Sequence, residues 1–256
     1  MNPAIRFIDY GFTYASGDKP ALVNVNLDLL PGRITSVIAP QGAGKTTLLR
    51  AVAGLLGEIY NGEVKGSLQL DESAAFFDGY VQVTLAVETV REELGLPLFA
   101  AGVNRAERDA RAVAISRQLG IEYLLDRHVT ELSGGEEKLV GIAAALIPDV
   151  QVHVLDEPFE QLDVAHFAAV IRAAKLRARR GRLVLVATSS LDVALNIADS
   201  ALLFSNDMWH SVETPSYSDV ARLAMLGESP VMTFLSEHHS DPTGVRRFRD
   251  AVRRAS

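Results

Sequence analysis

The segment Ala39-Pro40-Gln41-Gly42-Ala43-Gly44-Lys45-Thr46-Thr47 does most to narrow the folds open to this chain. Val37, Ile38 and Ala39 finish an apolar run, two glycines break it, and Thr46 to Ala53 then supply helix formers with an apolar face. The pattern predicts a strand, a tight loop and a helix, the setting of a phosphate-binding loop. Glycines allow main-chain N–H groups to converge on an anion, which also lies at the positive end of the new helix. Gln41, Gly42, Ala43, Gly44, Lys45, Thr46 and Thr47 are therefore the expected cradle. Lys45 would reach the outer phosphates as a point charge, and the Thr46 hydroxyl would ligate Mg²⁺. A glycine turn before a helix is the bland alternative, and the attached Lys-Thr-Thr argues against it. Ala39 stands where the motif has its first glycine. If that position needs a positive φ, the alanine is strained by about 1 kcal/mol or more.

Two later stretches extend the pattern. Val152-His153-Val154-Leu155-Asp156-Glu157 has the composition of a buried central strand ending in two carboxylates. Downstream of a phosphate loop, Asp156 is expected to hold Mg²⁺, commonly through water, and Glu157 to position or deprotonate the attacking water. His153 in the same strand reads as a satisfied core histidine rather than a ligand. Leu132-Ser133-Gly134-Gly135-Glu136 contains a capping box, Ser133 with Glu136 three residues on, opening a helix that runs through Leu139, Ile142, Ala143 and Leu146 to Pro148. A cap does not explain Gly134 and Gly135, each costing about 1 kcal/mol relative to alanine inside a helix. Bare backbone there suits close approach of a phosphate.

In this order the three stretches resemble those of the ATP-binding cassette (ABC) ATPases, over roughly positions 4 to 205, and the ligand implied is ATP with Mg²⁺. The resemblance implies that Ser133, Gly134, Gly135 and Glu136 face the nucleotide of a second ATPase subunit, two chains enclosing two ATP molecules head to tail. Tyr14 lies where the family has its adenine-stacking aromatic, although Tyr10 and Phe12 share its strand face and core packing explains it equally well. Gln82, in Tyr80-Val81-Gln82, matches the glutamine that links the γ-phosphate and its metal to the helical lobe. Leu162-Asp163 matches the loop that crosses the dimer interface, with Phe159 in place of a commoner threonine. After Leu183 to Ala187 the family carries Thr-His-Asp, and its histidine contacts the γ-phosphate. This chain has Thr188-Ser189-Ser190. Ser189 is shorter, uncharged and brings no imidazole, which puts hydrolysis in the chain's own site in question.

Organisation agrees with that resemblance. The first 80 or so residues alternate apolar and polar positions and look strand-rich, a helical stretch follows from about Val87 to Pro148, and strands then alternate with helices to Phe204. The expected fold is an α/β P-loop core with a parallel sheet, an amino-terminal antiparallel β subdomain and an inserted helical lobe. An ATPase domain is expected over 1–205 and a short carboxyl extension over 206–256. A 48% apolar composition supports a substantial core, and the absence of cysteine excludes disulfides and thiolate metal sites. A net charge of −7 argues against a nucleic-acid binder, as does the short spacing between Lys45 and Ser133, too little for the long coiled coils of DNA-maintenance ABC ATPases. Polar residues interrupt the amino terminus, so no signal peptide is expected, and no run is long enough to span a bilayer. Lys175, Arg177, Arg179, Arg180 and Arg182 read as a solvated face at a helix end, and the basic tail near Arg246 to Arg254 as a frayed helix.

The function expected is that of a separate ATPase subunit, peripheral on the cytoplasmic face of the membrane, driving a transmembrane partner. Glu136 in the signature, the single nucleotide-binding unit and the short extension are similar to ATPases of energy-coupling factor importers. A hydrolysis-impaired regulatory subunit is the alternative that Ala39 and Ser189 suggest.

Overall fold

The computed structural model describes residues 2–70, 74–79 and 87–215. Gln82 and the basic carboxyl tail lie outside the described residues. The elements run β1 (Ile5–Tyr14), β2 (Leu22–Leu29), β3 (Arg33–Ile38), α1 (Lys45–Val52), β4 (Gly62–Leu70) and β5 (Ala74–Phe77). They continue with α2 (Val90–Ala100), α3 (Arg105–Leu119), α4 (Gly134–Leu146), β6 (Val152–Asp156), α5 (Val164–Arg179), β7 (Leu183–Ala187), α6 (Leu191–Ile197), β8 (Ser200–Ser205) and β9 (Met208–Glu213).

An antiparallel sheet in the order β2-β1-β4 forms the amino-terminal subdomain. In β1 the ladder shifts register between Phe7 and Tyr10, where Asp9 has a φ of 48° and bonds Asn26 through both its amide and its carboxylate. This bulge inserts an extra residue, so Phe7 and Tyr10 both reach the core although three positions apart. Tyr10, Phe12 and Tyr14 then keep the period of two that places them on one face.

The second sheet has the order β5-β6-β7-β3-β8-β9, parallel except for β9, which pairs antiparallel with β8. Every residue of β6 and β7 is buried, as expected of parallel strands covered on both faces. The sheet reaches Glu213, past the boundary at 205 expected from the sequence. Because β7 lies between β3 and β6 in register, the carboxyl ends of all three strands come out side by side. The residues at and beyond these ends, Ala39 onward, Thr188 onward and Asp156-Glu157, are thereby brought to one edge.

Helices α2, α3 and α4 form the lobe, each started by a side-chain cap: Thr89, Asn104 and Ser133. The end of α4 is closed by two residues from the core. His153 Nδ1 donates to Ala145 O at 2.9 Å, and Arg177 Nε and Nη2 donate to Leu146 O at 3.1 and 2.8 Å. These bonds satisfy carbonyls that a helix terminus leaves unpaired. His153 is thus the satisfied core residue expected. Arg177 is not on a solvated face: it is buried, with Nη1 also donating to Gln118 Oε1 at 2.8 Å, and burial brings its pKa down to about 10. Charge composition alone could not separate it from Arg182, which does lie near the surface and pairs with Asp149.

Burial pushes His153 down to about 4 from an ordinary value of 6.5. Between these values the unfolded chain binds a proton that the folded chain refuses. The contribution is therefore complete above about pH 6.5 and is lost as pH falls toward 4, by up to about 3 kcal/mol. Thermal melts from pH 7 to pH 5 should fall more steeply for the native chain than for His153→Gln, which cannot titrate. Parallel curves would show that His153 carries no part of the acid sensitivity.

Candidate active site

The loop after β3 turns through a bond from Ala43 N to Pro40 O, with Gly42 and Gly44 at φ 83° and 87°. Gly44 is the N-cap of α1 and offers no side chain, so the first amides of that helix have no side-chain acceptor and remain available to an anion. A Cβ on Gly44 would lie 2.5 Å from Ala21 O, whereas one on Gly42 would meet nothing within 4 Å. The two glycines serve different needs, close packing at Gly44 and open approach at Gly42. Ala39 is buried and is not among the residues with positive φ. The strain that an alanine would suffer there does not arise, because the chain is still leaving the strand at that point.

Lys45 Nζ donates to Ala39 O at 3.1 Å, folding the cation back over the loop. The Thr46 hydroxyl donates to Asp156 Oδ2 at 2.9 Å. Tyr14 OH and Thr47 Oγ1 are 3.1 Å apart, and Arg50 Nη1 donates to Tyr14 OH at 3.3 Å while its guanidinium covers the Tyr60 ring. Tyr14 is accordingly tied to α1 by its hydroxyl, with the edge of its ring against Phe12.

Glu157 follows β6 with a φ of 45°, its amide bonded to Ala187 O at 2.9 Å. That backbone turns its carboxylate toward the loop after β7, where Ser189 N donates to Glu157 Oε2 at 2.9 Å. Burial raises the pKa of Glu157, opposed by the Ser189 amide and by Lys45. Asp156 is also raised by burial, opposed by Thr46 and Lys45. Ser189, singled out for the imidazole it lacks, holds the Glu157 carboxylate through its main chain instead, a bond that needs no particular side chain.

The second glycine stretch lies apart from these groups, on α4. Ser133 N and Oγ donate to Glu136 Oε2 at 2.9 and 2.8 Å, and Ser133 Oγ accepts from Glu136 N at 3.4 Å, completing the capping box. A Cβ on Gly134 or Gly135 would touch nothing within 4 Å. The chain's own packing therefore does not require glycine at either position. Asp163 caps α5 by accepting from Ala165 N and His166 N. Phe159 packs against Phe167 with ring centroids 4.8 Å apart and planes tilted by 48°, so the residue in place of threonine is a packing one.

Residues 22–160, more than half the chain, match the ABC transporter family. The chain belongs to that family. The zinc import ATP-binding protein ZnuC of Pseudomonas fluorescens is 32% identical over 94% of this chain and 88% of its own length. The taurine import ATP-binding protein TauB of Shigella dysenteriae is 31% identical over 83% of this chain and 84% of its own. Among solved structures, a dimeric post-hydrolysis state of the ATP-binding cassette MJ0796 with ADP and Pi has a TM-score of 0.70 at 22% identity, covering 83% of this chain and all of that one. CbiO1 from Clostridium perfringens, part of the transporter complex cbiONQ, has a TM-score of 0.67 at 21% identity, covering 93% and 100%. At such identities these two structures speak for the fold.

The protein is thus an ABC ATPase that binds ATP, and its fold brings Lys45, Thr46, Asp156, Glu157 and Ser189 to one sheet edge. Sequence reasoning missed Lys138, which is buried and donates from Nζ to Glu160 O at 3.0 Å, tying α4 to the loop that follows Glu157. A lysine on a helix ordinarily signals a solvated face, so only the apolar neighbours Leu139 and Ile142 hinted at its placement.

Gly44→Ala in this ATPase should lose stability by more than the 1–2 kcal/mol or so of left-handed strain, since its methyl also meets Ala21 O, and should weaken ATP binding. Gly42→Ala carries the strain without the clash. Urea midpoints and ATP titrations of the two variants should differ in that order, and equal losses would show that packing against Ala21 is unimportant.

Proposed function

We propose that this chain is the peripheral ATPase subunit of an importer for a small solute. In this reading ATP and Mg²⁺ bind at the loop after β3, and two ATPase subunits close head to tail over two nucleotides. The carrying observation is the bond between Thr46 and Asp156, which joins the phosphate loop to the carboxylate pair. Two hard oxygen donors so placed suit Mg²⁺, and the raised pKa of Asp156 marks a carboxylate whose charge lacks a sufficient counterion. Bound there, Mg²⁺ would supply positive charge against the outer phosphates. Lys45 exchanges Ala39 O for phosphate oxygen. Glu157 keeps Oε2 on the Ser189 amide and uses Oε1 to orient water and take its proton.

Import is the activity common to the names of the relatives, which differ in solute: zinc, taurine, sn-glycerol-3-phosphate. Solute choice therefore rests with the transmembrane partner, and the chain sits on the cytoplasmic face. Among the described residues no helix is long and apolar enough to cross a membrane. Glu136 in the signature favours the energy-coupling factor type. The helical lobe, about 87–148 with Gln82 before it, is the region assigned to the transmembrane partner. Tyr14 supports adenine, and Ser133 to Glu136 support the nucleotide of the second subunit.

Lys45→Ala should abolish most Mg-ATP affinity in titration calorimetry, because the outer phosphates lose their main side-chain counterion. Glu157→Gln keeps the shape but not the base, so ATP should stay bound and an ATP-dependent dimer accumulate in light scattering. Retained affinity in the first variant would remove the phosphate-loop assignment, and a strictly monomeric second variant would remove the sandwich.

A second reading, a hydrolysis-impaired regulatory subunit, is favoured by the absence of an imidazole at Ser189. Losing one well-placed transition-state donor costs roughly 100- to 1,000-fold in rate. Steady-state turnover of the purified chain should accordingly be slow and rise in Ser189→His. Brisk Glu157-dependent turnover with no gain from the histidine would assign the chain to the active motors.

A further inference from the structure

The signature of this chain ends in an acid, and the acid is held in its charged form. Bonds from the Ser133 amide and hydroxyl, with Arg127 adding its charge, keep the Glu136 carboxyl below the usual carboxylate range. A negative charge therefore lies one hydrogen bond from the serine that, on the reading above, meets the phosphate of a second subunit. Such a pairing of like charges across an interface is unfavourable when nothing offsets it.

Arg127 is placed to offset it. Its Nη1 donates to Glu136 Oε1 at 3.1 Å and its Nη2 to Glu131 O at 2.6 Å. The segment bearing it is fixed to the start of α2. Val90 N donates to Arg127 O at 3.2 Å, Arg91 N donates to Leu125 O at 2.9 Å, and the Arg91 side chain pairs with Asp126. A guanidinium on such a mount reaches one carboxylate oxygen and leaves the other to Ser133. Tyr123 also lies beside Glu136, but it brings no charge.

We propose that Arg127 is a positioning residue that neutralises Glu136 and so makes an acidic signature compatible with a nucleotide phosphate. With Oε1 engaged by Arg127, Glu136 stays in place when the Ser133 hydroxyl turns from Oε2 to the phosphate. The inference rests on the sandwich reading.

The test uses the Glu157→Gln chain with Mg-ATP and follows dimerisation by light scattering over a concentration series. Adding Arg127→Ala should weaken the ATP-dependent dimer about tenfold, a figure held low because the pair is partly exposed. Adding Glu136→Gln to that variant should restore dimerisation, since removing the acid removes the need for the base. Raised salt should narrow the gap between the Arg127→Ala chain and its parent by screening the exposed charge. At each salt concentration the ATP affinity of the chain's own phosphate loop in the monomer should be the same for the parent and these variants.

An Arg127→Ala chain that dimerises as tightly as its parent overturns the proposal. So does a double variant as weak as the single one, because Arg127 would then act only by holding Glu131 O. If Arg127→Ala melts too low to assay, Arg127→Gln replaces it with the same expectation, keeping a donor for Glu131 O without the charge. Failure of the parent Glu157→Gln chain to dimerise overturns the sandwich itself, an outcome distinct from the others.

Discussion

Asp156 and Glu157 are carboxylates held largely out of water at the end of a fully buried strand, and each accepts a hydrogen bond from a neighbouring segment. Desolvation of two adjacent acids is unfavourable, and it is tolerated only where donors and cations converge on them. Lys45 and Thr46 come from the first turn of α1, set by the loop after β3, and the Ser189 amide from the loop after β7. That convergence depends on the parallel order β6-β7-β3, which needs helical crossovers between the strands and hence the helices that cover both sheet faces. The layered fold and the electrostatics of the site are one arrangement.

Much of this was legible in the sequence because its signals are local. The apolar run into glycine at Gly42 and Gly44, the Val-rich strand ending in Asp156, and Ser133 with Glu136 each encode their own geometry within a few residues. The Ser133 cap and the strands at Val152, Leu183 and Ala201 followed from the same patterns, whereas the caps Thr89 and Asn104 and the strand β9 did not. What stayed hidden depended on partners distant in sequence. Arg177 looks like its basic neighbours until α4 brings Leu146 O to it, and Lys138 looks solvated until Glu160 O arrives from another loop. The Asp9 bulge is written in a pairing with Asn26 across the hairpin, not in β1 itself.

Ala39 and Ser189 show a second limit of reading by motif. Each is a departure from a family pattern, and each departure is only as serious as the backbone or side-chain role it removes. Ala39 removes none here, since its φ is not positive. Ser189 removes a side-chain donor while preserving the main-chain donor that orients Glu157. The loop after β7 therefore retains its hold on Glu157 with any residue but proline at the position, because the donor is the main-chain N–H.

The four side chains that the proposed reading turns to nucleotide are already bonded within the chain. Lys45 is on Ala39 O, Thr46 on Asp156, the Tyr14 hydroxyl on Thr47, and the Ser133 hydroxyl on Glu136. Binding consequently exchanges internal hydrogen bonds for bonds to the ligand, and an exchanged hydrogen bond contributes only about 0.5–1.5 kcal/mol net. Affinity must then come mainly from charge: phosphate against Lys45 and the bare amides at the start of α1, and relief of the desolvated carboxylates by a cation. On the proposed sandwich reading the same exchange applies at the signature: the Ser133 hydroxyl, now on Glu136 Oε2, would turn to a phosphate of the second subunit, so that contact between subunits would be linked to nucleotide.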